Sequence, residues 1–317
     1  MLTGVRVLDL CEEPGFLAGK ILGDLGADVI KVERPGGDPG RRAPYLGDQP
    51  DPDRSLPWLA LNTSKRGITL ELSAPRGREL LLGLAQRSDV LLETFAPGAM
   101  EALELGYETL RAANPRLVYC AITPFGRTGP YAHYRAHDLV VAAMGGNPSG
   151  TGDPDRPPVR CTMPTTYYHA APEAALGVVM ALYARERTGV GQLVDVSMHE
   201  CQLSTLMTGP GQHALMGAVR GRGGARLGKT REIWRARDGW VTFGLRGGQA
   251  RIPNLIATVE YMAECGMAPD WLIHYDWKSY NHNLLEPEEV ERLEGAFGAF
   301  FASKSMRELY EQALERR

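Results

Sequence analysis

The 317-residue sequence lacks closely spaced cysteines and long apolar runs. No CxxC motif occurs, so we expect reduced core cysteines in a cytoplasmic protein rather than disulfides. No apolar run is long enough to span a bilayer, so no membrane partner is expected. A signal peptide is not expected either, because Asp9, Glu12 and Glu13 come too early in the chain.

Lysine is scarce, with six residues among the 35 lysines and arginines. The net charge of −3 gives no indication of a nucleic-acid partner. Arginine is suited to fixed recognition of phosphate or carboxylate groups. A coding bias would produce the same excess of arginine, so the composition alone does not establish an anion site.

The motifs of several enzyme classes are missing. The first turn, LDLCEEPGFLAGK, lacks the GxGxxG glycines that let a backbone approach a pyrophosphate. Glu12, Glu13 and Phe16 occupy that turn, so NAD is not expected as a cofactor. No GxSxG elbow is present, which disfavours a serine hydrolase.

Histidine and aspartate lie together in the segment HYRAHD. His133 and His137 are four residues apart, as zinc ligands on one helix face would be. No HExxH motif and no third ligand accompany them, so no metal site is expected. An acid/base role for His137 or Asp138 fits the near-neutral titration of histidine, while a structural His–Asp pair explains the motif equally well.

Apolar strand candidates alternate with helical segments along the first two thirds of the chain. GVRVLDL (4–10), LAGKILGDLGA (17–27) and DVIKVERP (28–35) predict an opening β-α-β unit with a parallel crossover. Further strands are predicted at 67–72, 89–95, 116–122 and 192–198, and helices at 76–87, 107–113, 136–144 and 172–187. This alternation predicts the α/β class with a doubly wound, Rossmann-like parallel sheet.

The helix predicted at 172–187 begins with Pro172, which suits a first turn, and ends at Gly189. It is apolar nearly all round, which predicts burial, and Glu173 would then favour the helix start electrostatically. A Gly/Arg-rich segment at 217–230 indicates a linker. We therefore predict a large domain at 1–216 and a smaller α+β domain at 231–317.

Three arginines follow the predicted strand at 28–35. VERPGGDPGRR places Arg34, Arg41 and Arg42 near the end of this strand, where ligands of open α/β sheets bind. An arginine there can hold a phosphate through a two-point fork. A solvated loop with surface charges is the alternative interpretation.

Collinear phrases over roughly residues 4–245 resemble the class III CoA-transferase family, which includes formyl-CoA transferases, α-methylacyl-CoA racemases and carnitine dehydratase-like proteins. The phrases are GVRVLDL, LGADVIKVERPGGDPGR, NTSKRGITLEL, SDVLLETFAPGAMEALELG, NPRLVYCAITPFGRTGPY, HDLVVAAMGG, ALYARERTGVGQLVDVSM and DGWVTFGL. The resemblance implies an interlocked homodimer of chains with a large and a small domain. It also implies a C-terminal segment that returns to the large domain, which this sequence is expected to lack.

The resemblance also implies a nucleotide site. Arg34 would lie near the adenosine phosphates of CoA, and Leu70 and Phe95 would line the nucleotide. Thr94 stands where relatives often carry asparagine. Pro14 belongs to the loop that lies close to the thioester in transferases.

The residues implied for catalysis depart from the family pattern. Glu13 falls in the glutamine loop of the transferases, and His137 matches an acid/base histidine of the racemases. Both groups place an aspartate just before the helix APEAALGVVMAL, and here an ungapped count puts Thr166 in that position. A threonine hydroxyl is a poor replacement, because its pKa is far above 7 and it needs an adjacent base.

Three functions follow from the resemblance. The first is CoA transfer between carboxylic acids, with CoA or acyl-CoA as the substrate and an acid as the acceptor. The second is a non-catalytic subunit paired with an aspartate-bearing paralogue, so that the assembly is a heteromer rather than a homodimer. The third is an acyl-CoA racemase, isomerase or hydratase that uses His137 with Asp138 or Glu13.

Overall fold

The computed structural model describes residues 1–47, 49–206, 209–219, 221–246 and 248–316. These residues form two compact units. The first comprises Met1–Ser149 and Arg160–Val219, and the second comprises Gly150–Val159 and Arg220–Arg317. Each unit has a hydrophobic core of its own.

The strands and helices follow one another in alternation through the first unit. Its strands are β1 (Arg6–Asp9), β2 (Asp28–Glu33), β3 (Lys65–Thr69), β4 (Val90–Glu93), β5 (Val118–Thr123) and β6 (Leu193–Ser197). Its helices are α1 (Phe16–Asp24), α2 (Leu56–Leu61), α3 (Pro75–Ala85), α4 (Ala99–Ala102), α5 (Tyr107–Ala113), α6 (Asp138–Met144), α7 (Thr165–Thr188), α8 (Met198–Ser204) and α9 (Gly209–Met216).

The six strands of the first unit form one parallel sheet in the order β3-β2-β1-β4-β5-β6. The predicted α/β class and parallel sheet are therefore confirmed. The strand order reverses between β1 and β4. In such sheets this reversal opens a crevice beyond the carboxyl ends of the strands, where ligands bind.

Both faces of the central strands are buried, which explains why these strands are apolar at successive positions. Val7 and Val90 point into a core shared with α1 and α7, while Leu8 and Leu91 point into a second core on the opposite face. The second core includes Leu81 of α3 and also residues of α5. The sheet is therefore a rigid platform from which the loops at its carboxyl edge project.

Helix α7 differs from its prediction in where it begins. It starts at Thr165, seven residues earlier than expected, so Pro172 lies inside the helix and not in its first turn. Glu173 is consequently an exposed residue of the helix interior and does not favour the helix start. A proline in a helix interior removes one hydrogen bond, so the first two turns depend on contacts made elsewhere.

The prediction that this helix is buried nearly all round is also wrong. Leu176, Met180 and Tyr183 are 53%, 63% and 72% exposed. They are spaced four, then three residues apart and therefore share one face. Alanines and Val178 form the buried face, which packs against α1 and the sheet.

The second unit combines short antiparallel pairs with helices. The strands are β7 (Arg226–Leu227) with β8 (Thr230–Arg231), and β9 (Ile233–Ala236) with β10 (Gly239–Thr242). The helices are α10 (Ile252–Glu264), α11 (Asp270–Ile273), α12 (Pro287–Ser303) and α13 (Met306–Glu315). Aromatic residues such as Trp234, Phe297 and Phe301 fill the core of this unit.

Buried charges fix the turn that follows β1. The Asp9 carboxylate lies 2.7 Å from the Lys65 ammonium, and both side chains are almost completely buried. Burial alone would raise the pKa of Asp9, but the charges of Lys65 and Lys31 lower it below its ordinary value. Lys65 also donates to the Phe16 carbonyl at 2.8 Å, and Lys31 donates to the Cys11 carbonyl. The turn from Cys11 to Phe16 is therefore held at both ends.

Glu93 is a second buried carboxyl group, at the carboxyl end of β4. It accepts hydrogen bonds from the Phe95 N–H at 2.6 Å and from the Tyr119 hydroxyl at 3.2 Å, and Arg127 lies 3.4 Å away. Burial raises the pKa of Glu93 to about 7, although the Phe95 N–H and Arg127 oppose this shift. The group therefore titrates near neutral pH in the folded protein.

The raised pKa predicts a pH-dependent stability. Between its ordinary pKa of 4.5 and about 7, Glu93 stays protonated in the folded chain but ionises on unfolding. Its contribution to the free energy of unfolding therefore falls as pH rises through this window, with a slope of at most about 1.4 kcal/mol per pH unit. Urea unfolding at pH 5, 6 and 7 should show a decline that Glu93→Gln reduces. Parallel pH profiles for the two proteins would contradict the assignment.

Candidate functional site

The carboxyl ends of neighbouring strands bring the predicted nucleotide-binding residues together. Arg34 follows β2, Leu70 follows β3, and Thr94 and Phe95 follow β4. The Glu12 N–H donates to the Thr94 hydroxyl at 2.8 Å, which ties the turn after β1 to the segment after β4. These residues meet where the strand order reverses, at the position that favours ligand binding in an open α/β sheet.

A cavity of about 150 Å³ opens at this edge. Arg34, Leu70 and Phe95 line it, while Thr94 is the neighbour of Phe95 in the chain and Pro14 belongs to the adjoining turn. The remaining lining residues are Leu10, Glu12, Val32, Glu33, Asp38, Pro39, Glu71, Leu72 and Leu103. The lining combines apolar side chains with the carboxylates of Glu12, Glu33, Asp38 and Glu71, and Arg34 is the basic residue among them. A ring system would pack on the apolar side chains, and an anionic group that it carries would bind Arg34.

The three arginines after β2 differ in availability. Arg41 is held by Glu33 at 2.7 and 2.8 Å, pairs with Asp53 and stacks on Trp58. Arg34, in contrast, is exposed and donates to the Gly37 carbonyl at a long 3.4 Å. Among the residues that the structure describes, no carboxylate forms an ion pair with Arg34. Its guanidinium is thus available to a phosphate.

A second cluster forms where α6 and α7 begin. Asp138 is the first residue of α6, and Thr166 lies in the first turn of α7. One Asp138 oxygen, Oδ1, accepts from the Thr166 N–H at 3.0 Å and from the Thr166 hydroxyl at 2.9 Å. Pro164, at the cap position of α7, makes no side-chain cap. The Asp138 carboxylate therefore supplies that cap from the neighbouring helix.

Two ion pairs lie near Tyr167, at the start of α7. Arg160 reaches the second Asp138 oxygen at 3.3 Å, and the Asp138 N–H donates to the Tyr167 hydroxyl at 3.3 Å. The Arg42–Glu13 pair, at 2.6 Å, also acts electrostatically on Tyr167. Burial raises the pKa of Tyr167, and the charges of Glu13 and Asp138 raise it further. Tyr167 therefore connects three residues predicted to be catalytic: Glu13, Asp138 and Thr166.

The histidines are placed differently. His137 occupies the cap position of α6, but its exposed side chain makes no cap hydrogen bond. His133 is exposed as well. Within the described part of the chain, no group of three or more His, Cys, Asp or Glu side chains could hold a metal ion. His137 thus adjoins the cluster through the backbone of Asp138.

Sequence reasoning missed Arg160 and the connecting role of Tyr167. Arg160 belongs to the irregular segment before α7, where no periodicity marks a contact. Its partner Asp138 is 22 residues earlier, and Glu13 is 29 residues from Arg42. A search for charged residues just before the helix would have found Arg160 but not its partner.

Thr166 is fully buried, so its hydroxyl is shielded from solvent. The hydroxyl donates its proton to Asp138 rather than facing an open cleft. This geometry holds the start of α7 in place and does not present Thr166 as an activated nucleophile.

A larger cavity, of about 620 Å³, lies within the second unit. Residues of α10, α13 and β10 contribute to its mostly apolar lining, and none of the residues predicted for the site does so. The volume of this cavity alone does not indicate a role in catalysis.

Elsewhere in the fold, no helix of the described residues combines the length and apolarity needed to cross a membrane.

Comparisons with known proteins place these features in a family. The chain is 36% identical to the Succinyl-CoA:(R)-benzylsuccinate CoA-transferase subunit BbsE of Thauera aromatica, over 96% of this chain and 74% of the relative. It is 40% identical to the Succinyl-CoA–D-citramalate CoA-transferase of Chloroflexus aurantiacus, over 77% of this chain and 61% of that protein. Identity to the Formyl-CoA:oxalate CoA-transferase of Streptomyces avermitilis is 43%, over 64% and 49% of the two chains. The chain thus spans about half to three quarters of these relatives.

The fold is also similar to solved structures. A CAIB/BAIF family protein from Brucella suis matches with a TM-score of 0.81 and 27% identity, over 99% of this chain and 81% of that chain. Rv3272 from M. tuberculosis matches with a TM-score of 0.73 and 29% identity over the same shares. The model of CoA-transferase family III matches residues 2–316. The chain therefore belongs to CoA-transferase family III.

Proposed function

We propose that this chain binds a CoA thioester in its first unit and takes part in the transfer of CoA between carboxylic acids. The availability of Arg34 at the rim of the cavity after β2, β3 and β4 is the observation that carries the proposal. The relatives reported above are CoA-transferases, which supports the same reaction class. The substrate is accordingly an acyl-CoA, and the acceptor is a carboxylic acid.

The cavity at Arg34 and the cluster at the start of α7 suggest a path for the bound CoA thioester. The adenosine phosphates would bind Arg34, with the nucleotide between Leu70 and Phe95. The pantetheine arm would then follow the turn that contains Pro14 and bring the thioester towards Thr166. On this path the charged phosphates of CoA bind the exposed Arg34. The thioester lies at the more buried cluster of Asp138, Thr166 and Tyr167.

Replacing Arg34 should weaken CoA binding. In Arg34→Gln the phosphates lose a charge-assisted hydrogen bond, so the Kd for CoA should rise about tenfold or more. Isothermal titration of the purified chain with CoA measures this change. Arg111→Gln is the matched control, because Arg111 is an exposed arginine on α5 whose pair with Glu108 is long, at 3.7 Å. Equal weakening in both variants, or no binding to the wild-type chain, would contradict the proposed site.

A second candidate function is that of a subunit whose partner carries the nucleophilic aspartate. The buried Thr166 in the position expected for that aspartate favours it, because this hydroxyl is bound to Asp138. A relative that matches 96% of the chain is itself named as a subunit. In this arrangement the chain would supply a CoA site or support the partner, and a paralogue would supply the carboxylate.

Asp138 is the alternative source of a nucleophile within this chain. Attack by its oxygen on the thioester carbonyl would form an acyl-aspartate anhydride and release CoA as the thiolate. However, Asp138 is only 6% exposed, and both of its oxygens already accept hydrogen bonds. Such bonds stabilise the carboxylate and oppose attack. We therefore assign Asp138 to holding α7 rather than to forming the intermediate.

Trapping experiments separate these alternatives. The wild-type chain, incubated with succinyl-CoA and then hydroxylamine, should yield no modified carboxylate by mass spectrometry. The Asp138→Asn/Thr166→Asp variant should yield a hydroxamate at position 166, because it moves the single carboxylate onto α7 without setting two carboxylates side by side. The single Asp138→Asn variant is the control. A hydroxamate at Asp138 in the wild-type chain would overturn the subunit interpretation.

A further inference from the structure

Arg160 and Arg42 form similar ion pairs, and neither residue has a role in the reaction proposed above. Each side chain is about half exposed, at 50% for Arg160 and 53% for Arg42, and each forms an ion pair with one carboxylate. Arg160 reaches Asp138 through Nη1, and Arg42 reaches Glu13 through Nη2. Asp138 of the first pair donates its N–H to the Tyr167 hydroxyl, and the charges of the second pair act on the same side chain, so both pairs lie near the start of α7.

Two other arginines of the first unit that pair with carboxylates are largely buried, and the fold occupies their donors. Arg185 is 6% exposed and binds both Asp89 and the Arg116 carbonyl. Arg127 is 15% exposed and lies between Glu93 and Glu101. A guanidinium has five N–H donors in a fixed fork, so one held at a single edge can still bind a second carboxylate. Arg160 meets this condition.

The difference in burial between Asp138 and Arg160 also indicates that Arg160 can bind an incoming anion. The Asp138 side chain is 9% exposed, whereas that of Arg160 is 50% exposed. The guanidinium therefore lies on the solvent side of a buried carboxylate, which fixes its orientation and directs its remaining donors outward. Arg42 adds a second positive charge near Tyr167. An anionic group that approaches this cluster meets cations before it meets Asp138.

We propose that Arg160 binds a second carboxylate on the acyl group, so that this site selects dicarboxylic over monocarboxylic acyl-CoA. The inference rests on the proposed function, because it takes the thioester end of the ligand to lie at the start of α7. Arg160 is then a specificity-determining residue. It contributes to ligand choice rather than to the chemical step.

Two stable thioethers of equal chain length test this inference without turnover. S-(3-carboxypropyl)-CoA carries a terminal carboxylate, and S-butyl-CoA carries a methyl group in its place. Isothermal titration of the full chain should give a Kd for the carboxylated ligand about tenfold or more below that for S-butyl-CoA. Arg160→Gln should bring the ratio close to one by weakening the carboxylated ligand alone. Arg160→Lys should restore part of the preference, because it keeps the charge but loses the fork.

The controls separate this inference from the proposed function. Arg34→Gln should weaken both thioethers and CoA itself by the same factor and leave their ratio unchanged. If the wild-type chain binds CoA but does not distinguish the thioethers, the inference fails while the proposed function stands. A preference that survives Arg160→Gln also overturns it, because a role limited to orienting Asp138 would not change the ratio. If no ligand binds the wild-type chain, the proposed function itself fails.

Discussion

The buried contact between the Asp9 carboxylate and the Lys65 ammonium, reinforced by the nearby charge of Lys31, is the constraint on which the rest of the site depends. Removing one partner of such a pair leaves an uncompensated charge in the core, which typically costs about 3–5 kcal/mol. The contact holds the turn after β1 at Cys11 and Phe16. That turn contributes to both the proposed nucleotide site and the cluster at the start of α7. The Glu12 N–H donates to the Thr94 hydroxyl, and the Glu13 carboxylate pairs with Arg42. The nucleotide end and the acyl end of the proposed ligand are thus positioned by one buried charge network.

The start of α7 is held by a carboxylate from outside the helix. Its first turn has no side-chain cap of its own, and Pro172 removes a hydrogen bond further along the helix. Asp138 compensates by accepting two hydrogen bonds from Thr166. Asp138 is thus buried and committed to structure beside Thr166, the residue that an ungapped count sets in the position of the family aspartate. This arrangement motivates the proposal that a partner supplies the nucleophile.

The sequence predicts the central strands of the sheet well because both of their faces are buried, so that Val90–Glu93 and Val118–Thr123 are apolar up to their last residues. Arg34, Leu70 and Phe95 could be assigned through the family resemblance, and their shared cavity follows from the parallel sheet. The start of α7 could not be predicted, because its cap comes from Asp138, 28 residues away. The importance of Arg160 was hidden for the same reason. Contacts between distant segments leave no periodic signal in either one.

The most direct test of the central claim is a crystal structure of this chain with bound CoA. The account predicts the adenosine phosphates at Arg34 and the nucleotide between Leu70 and Phe95. It also predicts that the thiol end points past the turn after β1 towards Tyr167 and Thr166. Electron density for CoA at another surface would contradict it. A nucleotide at Arg34 whose thiol end points away from the start of α7 would contradict the assignment of the acyl site.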